Sequence, residues 1–137
     1  LAAVDHDSAN IEYGAMFEVP SAVIQAEEIM KQVAFASIGS NDLIQYLFAI
    51  DRDNEKVSGD YNPEHPALWT FLSRLGDVAR SLKKPLSICG EMAGREGMPT
   101  RLIASGITSL SVSPRLIPRV RLEMIAFVRG SGGGTTP

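Results

Sequence analysis

The sequence is poor in several features that would point to particular protein classes. It contains one cysteine, Cys89, so no internal disulfide is possible, which fits a reducing cytoplasm. No apolar run approaches the length of a transmembrane helix. Basic side chains do not outnumber acidic ones (13 Lys and Arg against 16 Asp and Glu), which argues against nucleic acid as the main partner. We therefore expect a cytoplasmic protein that binds neither nucleic acid nor membrane.

The two ends of the chain also lack informative features. The first residues, "LAAVDHDSAN", have no initiator Met, no basic segment and no apolar segment, so they do not form a signal peptide. This start is typical of an internal segment of a longer chain. The last residues, 129–137, are small, polar and rich in glycine, and we expect a flexible tail there. Residues 1–128 are predicted to form one domain.

Short apolar runs alternate with helical patterns along this domain. The runs predict four buried strands, at residues 15–19, 34–39, 86–90 and 110–113. Apolar residues at helical spacing predict helices at residues 21–33, 42–50, 66–83, 98–105 and 118–128. Strands alternating with helices indicate a parallel α/β sheet with right-handed crossovers. Two folds fit this pattern, namely a doubly wound sheet and part of a (β/α)8 barrel, and this chain is roughly half of the about 250 residues of a complete barrel.

Polar side chains follow each predicted strand. In either fold, ligands bind beyond the carboxyl ends of parallel strands, so these side chains should gather at one edge. They are Glu18 after the first strand, Ser40, Asn41 and Asp42 after the second, Cys89, Gly90 and Glu91 after the third, and Ser111 and Ser113 after the fourth.

Glu18 and Asp42 follow consecutive strands and are candidate metal ligands. If the strands are neighbours, the two carboxylates stand about 5 Å apart and repel each other unless a cation or a proton intervenes. Oxygen ligands without a nearby histidine pair suit Mg²⁺ or Mn²⁺ better than Zn²⁺. The alternative is that Asp42 only caps a helix and Glu18 is only an edge charge.

The segment "GSNDL" is typical of an anion-binding turn before a helix, or simply of a capped helix start. Arg52, in "DRDNE", either clamps a phosphate or belongs to a solvated surface cluster. The two histidines, His6 and His65, are interpreted as loop residues. Cys89 has three possible roles: a small core residue, a nucleophile or a proton donor. The acidic neighbour Glu91 disfavours a thiolate and favours a neutral thiol.

Four segments taken together resemble one enzyme family. "GAMFEVPSAV", "FASIGSNDLIQYLFAIDRDNEKV", "YNPEHPAL" and "SICGEMAG" are similar to the C-terminal barrel of phosphoenolpyruvate–protein phosphotransferase, enzyme I of the bacterial phosphotransferase system. The similarity covers roughly residues 11–128 and fits both the sugar-system enzyme and its nitrogen-regulatory paralogue. It implies the last four β/α units of a (β/α)8 barrel, and hence an enzyme that transfers a phosphoryl group from phosphoenolpyruvate (PEP) to a protein histidine.

The resemblance also implies roles for individual residues. Glu18 and Asp42 would bind Mg²⁺, and Cys89 would protonate the enolate as pyruvate forms. Asn41 and Arg52 would hold the substrate phosphate. Among the other strand-end residues, Ser40 and Glu91 are further candidates for substrate binding.

The family places the accepting histidine in a separate domain whose motif is absent here. We therefore expect this chain alone not to phosphorylate the small phosphocarrier protein, an HPr-like partner. Unpaired strand edges and the dimeric family predict a homo-oligomer. The alternatives are a Mg²⁺-dependent pyruvate-enolate lyase or aldolase, a domain of the PEP synthase or pyruvate phosphate dikinase type, and a non-catalytic dimerisation fragment.

Overall fold

Four parallel strands form the centre of the computed structural model, which describes residues 11–50 and 61–131. The sheet has the order β1-β2-β3-β4, and each strand hydrogen-bonds to the next strand in the chain. Phe17 is in register with Ile38, and Gly39 is in register with Cys89. The strands are β1 (Gly14–Phe17), β2 (Phe35–Gly39), β3 (Leu86–Cys89) and β4 (Ser109–Leu110). The four predicted strands are confirmed, with bounds that differ by a few residues.

The sequential strand order distinguishes the two folds that the sequence left open. A doubly wound sheet reverses its strand order at a switch point, whereas a (β/α)8 barrel adds each strand beside the previous one. All three pairings in this sheet are parallel and join consecutive strands. The described residues therefore form four successive β/α units of the barrel type, as predicted.

Helices pack against one face of this sheet. Their apolar residues form one buried cluster with strand residues such as Phe17, Ile38 and Ile88. The helices are α1 (Pro20–Ile24), α2 (Ala26–Lys31), α3 (Ser40–Phe48), α4 (Pro66–Leu82), α5 (Met98–Ala104) and α6 (Ile117–Ser131), and two 3₁₀ turns, at Glu91–Gly94 and Pro114–Leu116, join them to the sheet.

The opposite face of the sheet is open within the described residues. Along β3, Leu86 and Ile88 are fully buried, whereas Ser87 and Cys89 are partly exposed. Met16 in β1 is 51% exposed. The predicted strands are therefore buried on the helix-facing side, and on the open side they carry more exposed residues that alternate with the buried ones at a period of two. This alternation places Cys89 on the open side, where a substrate has access to it.

The helix predicted at residues 21–33 is divided in two, which corrects the sequence-based expectation. The break falls at Gln25, whose φ and ψ of −94° and 17° are not helical. Arg74 in α4 donates from Nε to the Val23 carbonyl at 3.1 Å and from Nη2 to the Ile24 carbonyl at 2.8 Å. The guanidinium group thus occupies carbonyls that a continuous helix would use, and α1 ends there.

The last helix, α6, runs as far as Ser131 and so continues three residues beyond the predicted domain end at 128. The rest of the predicted tail, residues 132–137, lies outside the described residues. Within the described ranges, no helix is long and apolar enough to cross a membrane.

Candidate active site

The carboxyl ends of the strands bring the predicted polar residues to one edge of the sheet. Gly39 and Cys89 are paired across β2 and β3. Since Phe17 pairs with Ile38, Glu18 reaches the same level beside Gly39. The residues that follow three neighbouring strands therefore lie side by side, as expected from the parallel arrangement.

The absence of a side chain at Gly39 makes room for the carboxylate of Glu18. A Cβ atom at Gly39 would lie only 3.1 Å from Glu18 Oε2, which is tighter than an ordinary van der Waals contact. Glu18 is half-buried. Its carboxylate is thus held against the backbone at the end of β2, next to the start of α3.

Asp42 lies in the first turn of α3, directly after that point. The N-cap residue of α3 is Gly39, and no side chain caps the helix. The alternative that Asp42 serves as the helix N-cap is therefore wrong. A negative charge in the first turn is favourable because the helix dipole is positive there, and the carboxylate remains available to a ligand.

Glu18 and Asp42 together supply a donor set of the kind that Mg²⁺ uses. Mg²⁺ is commonly held by one or two carboxylates, with substrate and water oxygens completing its octahedral shell. No group of three or more His, Cys, Asp or Glu side chains that could hold a metal occurs in residues 11–50 and 61–131. Two carboxylates are enough to hold Mg²⁺ when a substrate supplies further oxygen ligands. A metal site at Glu18 and Asp42 stays a prediction.

Ser40 links β2 to the loop that carries the cysteine. Its side chain is fully buried, and its hydroxyl donates to the Cys89 carbonyl at 2.6 Å. This hydrogen bond fixes the end of β3 against the start of α3. Contact between Ser40 and a substrate stays a prediction.

Asn41 is held by two hydrogen bonds to its side-chain oxygen. Oδ1 accepts from the backbone N–H of Glu91 at 3.1 Å and from the Tyr61 hydroxyl at 3.2 Å. Within residues 11–50 and 61–131, Nδ2 makes no recorded hydrogen bond, and it is the atom of this side chain that can donate to a ligand. A donor of this kind, beside the N-terminus of α3, suits an anion.

Gly90 allows the loop after β3 to lie against these two residues. Its φ is +102°, in the region that favours glycine, and a Cβ atom there would lie 2.3 Å from Ser40 Oγ and 2.8 Å from Asn41 Oδ1. No side chain fits this contact. The glycine of "ICG" therefore has a defined structural role at the site.

Cys89 is half-buried and has a free thiol. Its Sγ lies 3.5 Å from the Ile38 carbonyl oxygen, to which the S–H donates. The role of Cys89 as a proton donor stays a prediction. Cys89 also lines an open cavity of about 740 Å³ at the strand ends.

The same cavity contains two arginines that the sequence analysis missed. Arg95 follows "CGEMAG" directly, and Arg115 follows "SVSP", so both come shortly after the end of a strand. That position in the chain was the available signal. The other lining residues are Asn41, Cys89, Gly90, Glu91, Gly94, Ser111, Val112, Ser113 and Leu116.

Several predicted residues lie elsewhere. His65 caps α4, where its Nδ1 accepts from the Ala67 N–H at 3.1 Å, so its interpretation as a loop residue is consistent with the structure. Arg52 and His6 lie outside the described residues.

Glu91 lines the cavity but is exposed, and its backbone N–H makes the contact to Asn41. A wider groove, of about 850 Å³ on the outer side of α4, contains none of the strand-end residues.

Comparisons with known proteins agree with the strand-end site. A family model described as "PEP-utilising enzyme, PEP-binding domain" matches residues 2–128. Proteins named phosphoenolpyruvate-protein phosphotransferase are similar over most of the chain. The one from Haemophilus influenzae is 40% identical over 112 residues, which is 82% of this chain and 20% of that protein.

Two further relatives give the same result. The phosphoenolpyruvate-protein phosphotransferase of Geobacillus stearothermophilus is 41% identical over 114 residues, and that of Cupriavidus necator is 37% identical over 115 residues. The matched part is 83% and 84% of this chain respectively, and 20% of each relative. The chain thus spans about a fifth of the length of these curated relatives. The resemblance derived from the motifs is confirmed, and the chain belongs to the family of PEP-utilising enzymes, within their PEP-binding domain.

Proposed function

We propose that this chain provides the Mg²⁺-dependent, PEP-binding part of a phosphoenolpyruvate–protein phosphotransferase, which moves a phosphoryl group from PEP to a protein histidine. One observation carries the proposal: the Cys89 thiol and the Asn41 amide line one cavity, and the register of the sheet places the carboxylate of Glu18 and the first turn of α3 with Asp42 at the same edge. A proton donor for carbon, a donor for phosphate and a cation site are the groups that this reaction requires.

Glu18 and Asp42 would hold the metal ion. Bound Mg²⁺ acts as a Lewis acid for the negative charge that develops on the substrate oxygens. The chain contributes the positions of the two carboxylates, one supported by the missing side chain of Gly39 and the other by the first turn of α3.

Asn41 would donate from Nδ2 to the substrate phosphate, as would Arg52. Ser40 would act mainly through its hydrogen bond to Cys89, which aligns the cysteine loop. Glu91 would contribute its backbone N–H, which fixes Asn41. Hydrogen-bond donors in the segment after β2 would thus bind the phosphate, and the methylene carbon of PEP would face the end of β3.

In the proposed reaction, the bond between phosphorus and the enol oxygen of PEP breaks, and a bond between phosphorus and a histidine nitrogen forms. The electron pair of the broken bond stays on the oxygen, which leaves pyruvate enolate. Cys89 then transfers its S–H proton to the methylene carbon of the enolate, and pyruvate forms. The thiolate regains a proton from solvent.

The accepting histidine belongs to another part of the system. His65 caps α4 through Nδ1, away from the strand ends, which supports the proposal that these residues alone do not phosphorylate a phosphocarrier protein. We further propose an HPr-like phosphocarrier as the partner, a cytoplasmic location, and self-association through the open sheet face and edges. A solution mass of a single chain, measured by light scattering, would contradict the self-association.

Deuterium exchange into pyruvate tests the role of Cys89 without any accepting histidine. In D2O with Mg²⁺, the thiolate takes a proton from the pyruvate methyl group, and the thiol returns a deuteron to the carbon. We expect the chain to accelerate loss of the methyl proton signal about a hundredfold over Cys89→Ala, the usual range for general acid–base catalysis.

The matched control for this exchange is Ser113→Ala, which changes a lining residue without an assigned role. This variant should exchange as fast as the unmodified chain. Equal exchange in the unmodified chain and in Cys89→Ala, with both well folded, would contradict the assignment of Cys89 as the proton donor.

A further inference from the structure

The loop that carries Cys89 is attached to the rest of the fold at both ends. This cysteine loop comprises residues 89–95. At its start, the Ser40 hydroxyl donates to the Cys89 carbonyl, and the Gly90 backbone packs against the side chains of Ser40 and Asn41. These contacts attach the start of the loop to α3, which follows β2. The far end of the loop contacts α6, which follows β4, and that contact has no role in the reaction outlined above.

Arg119 in α6 makes the contact at the far end. Its Nη2 donates to the carbonyl of Gly94, the last residue of the 3₁₀ turn Glu91–Gly94. A Cβ atom at Gly94 would lie only 2.6 Å from Leu116 Cδ1, so the turn also packs closely on the segment that leads into α6. A hydrogen bond from a charged donor is stronger than one between neutral groups. The guanidinium group therefore holds this end of the loop more firmly than packing alone would.

The guanidinium group of Arg119 is itself held by Glu123, one helical turn later in α6. Glu123 Oε2 lies 3.8 Å from Arg119 Nη1, and the Glu123 side chain is only 21% exposed. Its other oxygen, Oε1, is buried and has no hydrogen-bond partner within residues 11–50 and 61–131. A buried carboxylate needs a positive partner, and Arg119 is the cation beside it. Arg119 thus contacts this carboxylate and the Gly94 carbonyl at the same time.

The segment between the two attachments is short and internally hydrogen-bonded. The Ala93 N–H donates to the Gly90 carbonyl at 3.2 Å, and the Arg95 N–H donates to the Met92 carbonyl at 3.2 Å. The side chains of Met92 and Ala93 are buried as well. The turn therefore moves as one piece, and a displacement at its far end is transmitted to Gly90, directly beside the cysteine.

We propose that Arg119 is a positioning residue for Cys89. By binding the Gly94 carbonyl, it holds the far end of the cysteine loop on α6 and so keeps the thiol in a fixed place at the end of β3. Arg119 is not among the described residues that line the cavity with Cys89, so it acts through the backbone and not on the substrate. The consequence for proton transfer rests on the proposed function, whereas the attachment of the loop to α6 does not.

Amide hydrogen exchange, followed by NMR on the ¹⁵N-labelled chain, tests the attachment. Arg119→Gln alone would leave Glu123 as a mostly buried charge without its cation, which destabilises the fold. The test variant is therefore the double substitution Arg119→Gln, Glu123→Gln, and its reference is Glu123→Gln, which keeps the guanidinium group on Gly94. We expect the amides of the cysteine loop to exchange about tenfold faster or more in the double variant than in this reference, because a hydrogen bond from a charged group is lost.

The amides of α4, which packs against α1 and α2, provide the internal reference, and their exchange should stay unchanged. Arg121→Gln removes an exposed arginine of the same helix and is the matched control, which should leave the loop amides unchanged. Equal loop exchange in the double variant and in Glu123→Gln would overturn the proposal. A rise of the same size in the loop and in α4 would also overturn it, because that pattern reports a loss of global stability.

Deuterium exchange into pyruvate, in D2O with Mg²⁺, measures the effect on Cys89. We expect the maximal exchange rate at saturating pyruvate to fall about tenfold or more in the double variant relative to Glu123→Gln. The pyruvate concentration that gives half of this rate should stay the same, because a displaced proton donor slows the chemical step and leaves binding intact. A higher half-saturating concentration with an unchanged maximal rate would contradict the positioning role.

The two readouts separate this proposal from the proposed function. If the loop amides exchange faster in the double variant but the unmodified chain does not exchange pyruvate, the attachment is supported and the assignment of Cys89 as the proton donor fails. If the unmodified chain exchanges pyruvate and the double variant does so at the rate of Glu123→Gln, the role of Cys89 stands and Arg119 is refuted as a positioning residue.

Discussion

At the scale of single residues, Ser40 and Asn41 are adjacent polar residues whose side chains have different roles. The Ser40 hydroxyl is buried and bonds to the Cys89 carbonyl. The Asn41 oxygen accepts two hydrogen bonds, which leaves its nitrogen for a ligand. We therefore assign the first mainly to the stability of the loop and the second to binding.

Replacing Asn41 by Asp tests this division. A carboxylate still accepts from the Glu91 N–H and the Tyr61 hydroxyl, but it has no donor and adds a negative charge. We expect Asn41→Asp to fold normally and to bind PEP at least about tenfold more weakly, as measured by calorimetry. Ser40→Ala serves as the comparison and should lower the free energy of unfolding by about 1 kcal/mol, because it removes the hydrogen bond from a buried hydroxyl to the carbonyl of the half-buried Cys89. Undiminished PEP binding by Asn41→Asp would contradict the assignment.

Gly90 gives a second prediction at this scale. Gly90→Ala combines an unfavourable positive φ with a Cβ atom 2.3 Å from Ser40 Oγ. We expect a loss of about 2–6 kcal/mol in the free energy of unfolding, the sum of overpacking and of backbone strain at a φ of 102° and ψ of 177°, which are accessible essentially to glycine alone.

The matched control is Gly97→Ala, where φ is also positive (+76°) but no atom lies within 4 Å of the added Cβ. Gly97→Ala should lower the free energy of unfolding through backbone strain alone, by about 1–2 kcal/mol. Chemical denaturation of both variants provides the comparison. Equal losses would show that the contact between Gly90 and Ser40 is unimportant.

The sequence predicted the strand-end residues well and the loop residues less well. Glu18, Asp42 and Cys89 could be placed at one edge because each follows an apolar run that reads as a strand. Arg95 and Arg115 also follow strand ends closely, but whether their turns bring them to one cavity depends on the packing of Gly94 against Leu116, which leaves no periodic pattern in the sequence.

At the scale of helices and strands, the division between α1 and α2 depends on a side chain far away in the sequence. Val23, Ala26 and Met30 keep the apolar spacing of one continuous helix, and all three are buried. The break comes from Arg74, fifty or more residues later, which bonds to the carbonyls of Val23 and Ile24. Local periodicity predicted the buried face correctly but contained no information on this tertiary contact.

Gly76 provides a test of helix packing. It lies in α4, and a Cβ atom there would lie 1.7 Å from the carbonyl oxygen of Ser105 at the end of α5. Alanine is the better helix former by about 1 kcal/mol, but this overlap involves backbone and typically costs about 1–3 kcal/mol or more. We expect Gly76→Ala to lower the midpoint of thermal unfolding.

The matched control for this substitution is Gly130→Ala in α6. No atom lies within 4 Å of its added Cβ, so helix propensity alone should act and the midpoint should stay unchanged or rise slightly. A midpoint for Gly76→Ala at or above that of the unmodified chain would show that α4 and α5 are not in close contact.

At the scale of the whole molecule, the sequential parallel sheet explains why the candidate site residues lie at one edge of the sheet. The order β1-β2-β3-β4 brings four carboxyl ends together, and the alternation of apolar with small or polar residues leaves one sheet face open. The sequence predicted the parallel α/β alternation but left the doubly wound and barrel folds open. The strand order and the helices on a single face were needed to decide between them, because both depend on packing between distant segments.

The central claim is that the strand ends form one site for PEP and Mg²⁺, and an amide NMR titration tests it most directly. PEP is added to the ¹⁵N-labelled chain with and without Mg²⁺, and the same series is repeated on Asp42→Asn. The account predicts shifts at Glu18, Asn41 and Cys89 that require both PEP and Mg²⁺ and disappear in the variant. A well-dispersed spectrum without such shifts, or with the same shifts in Asp42→Asn, would contradict it.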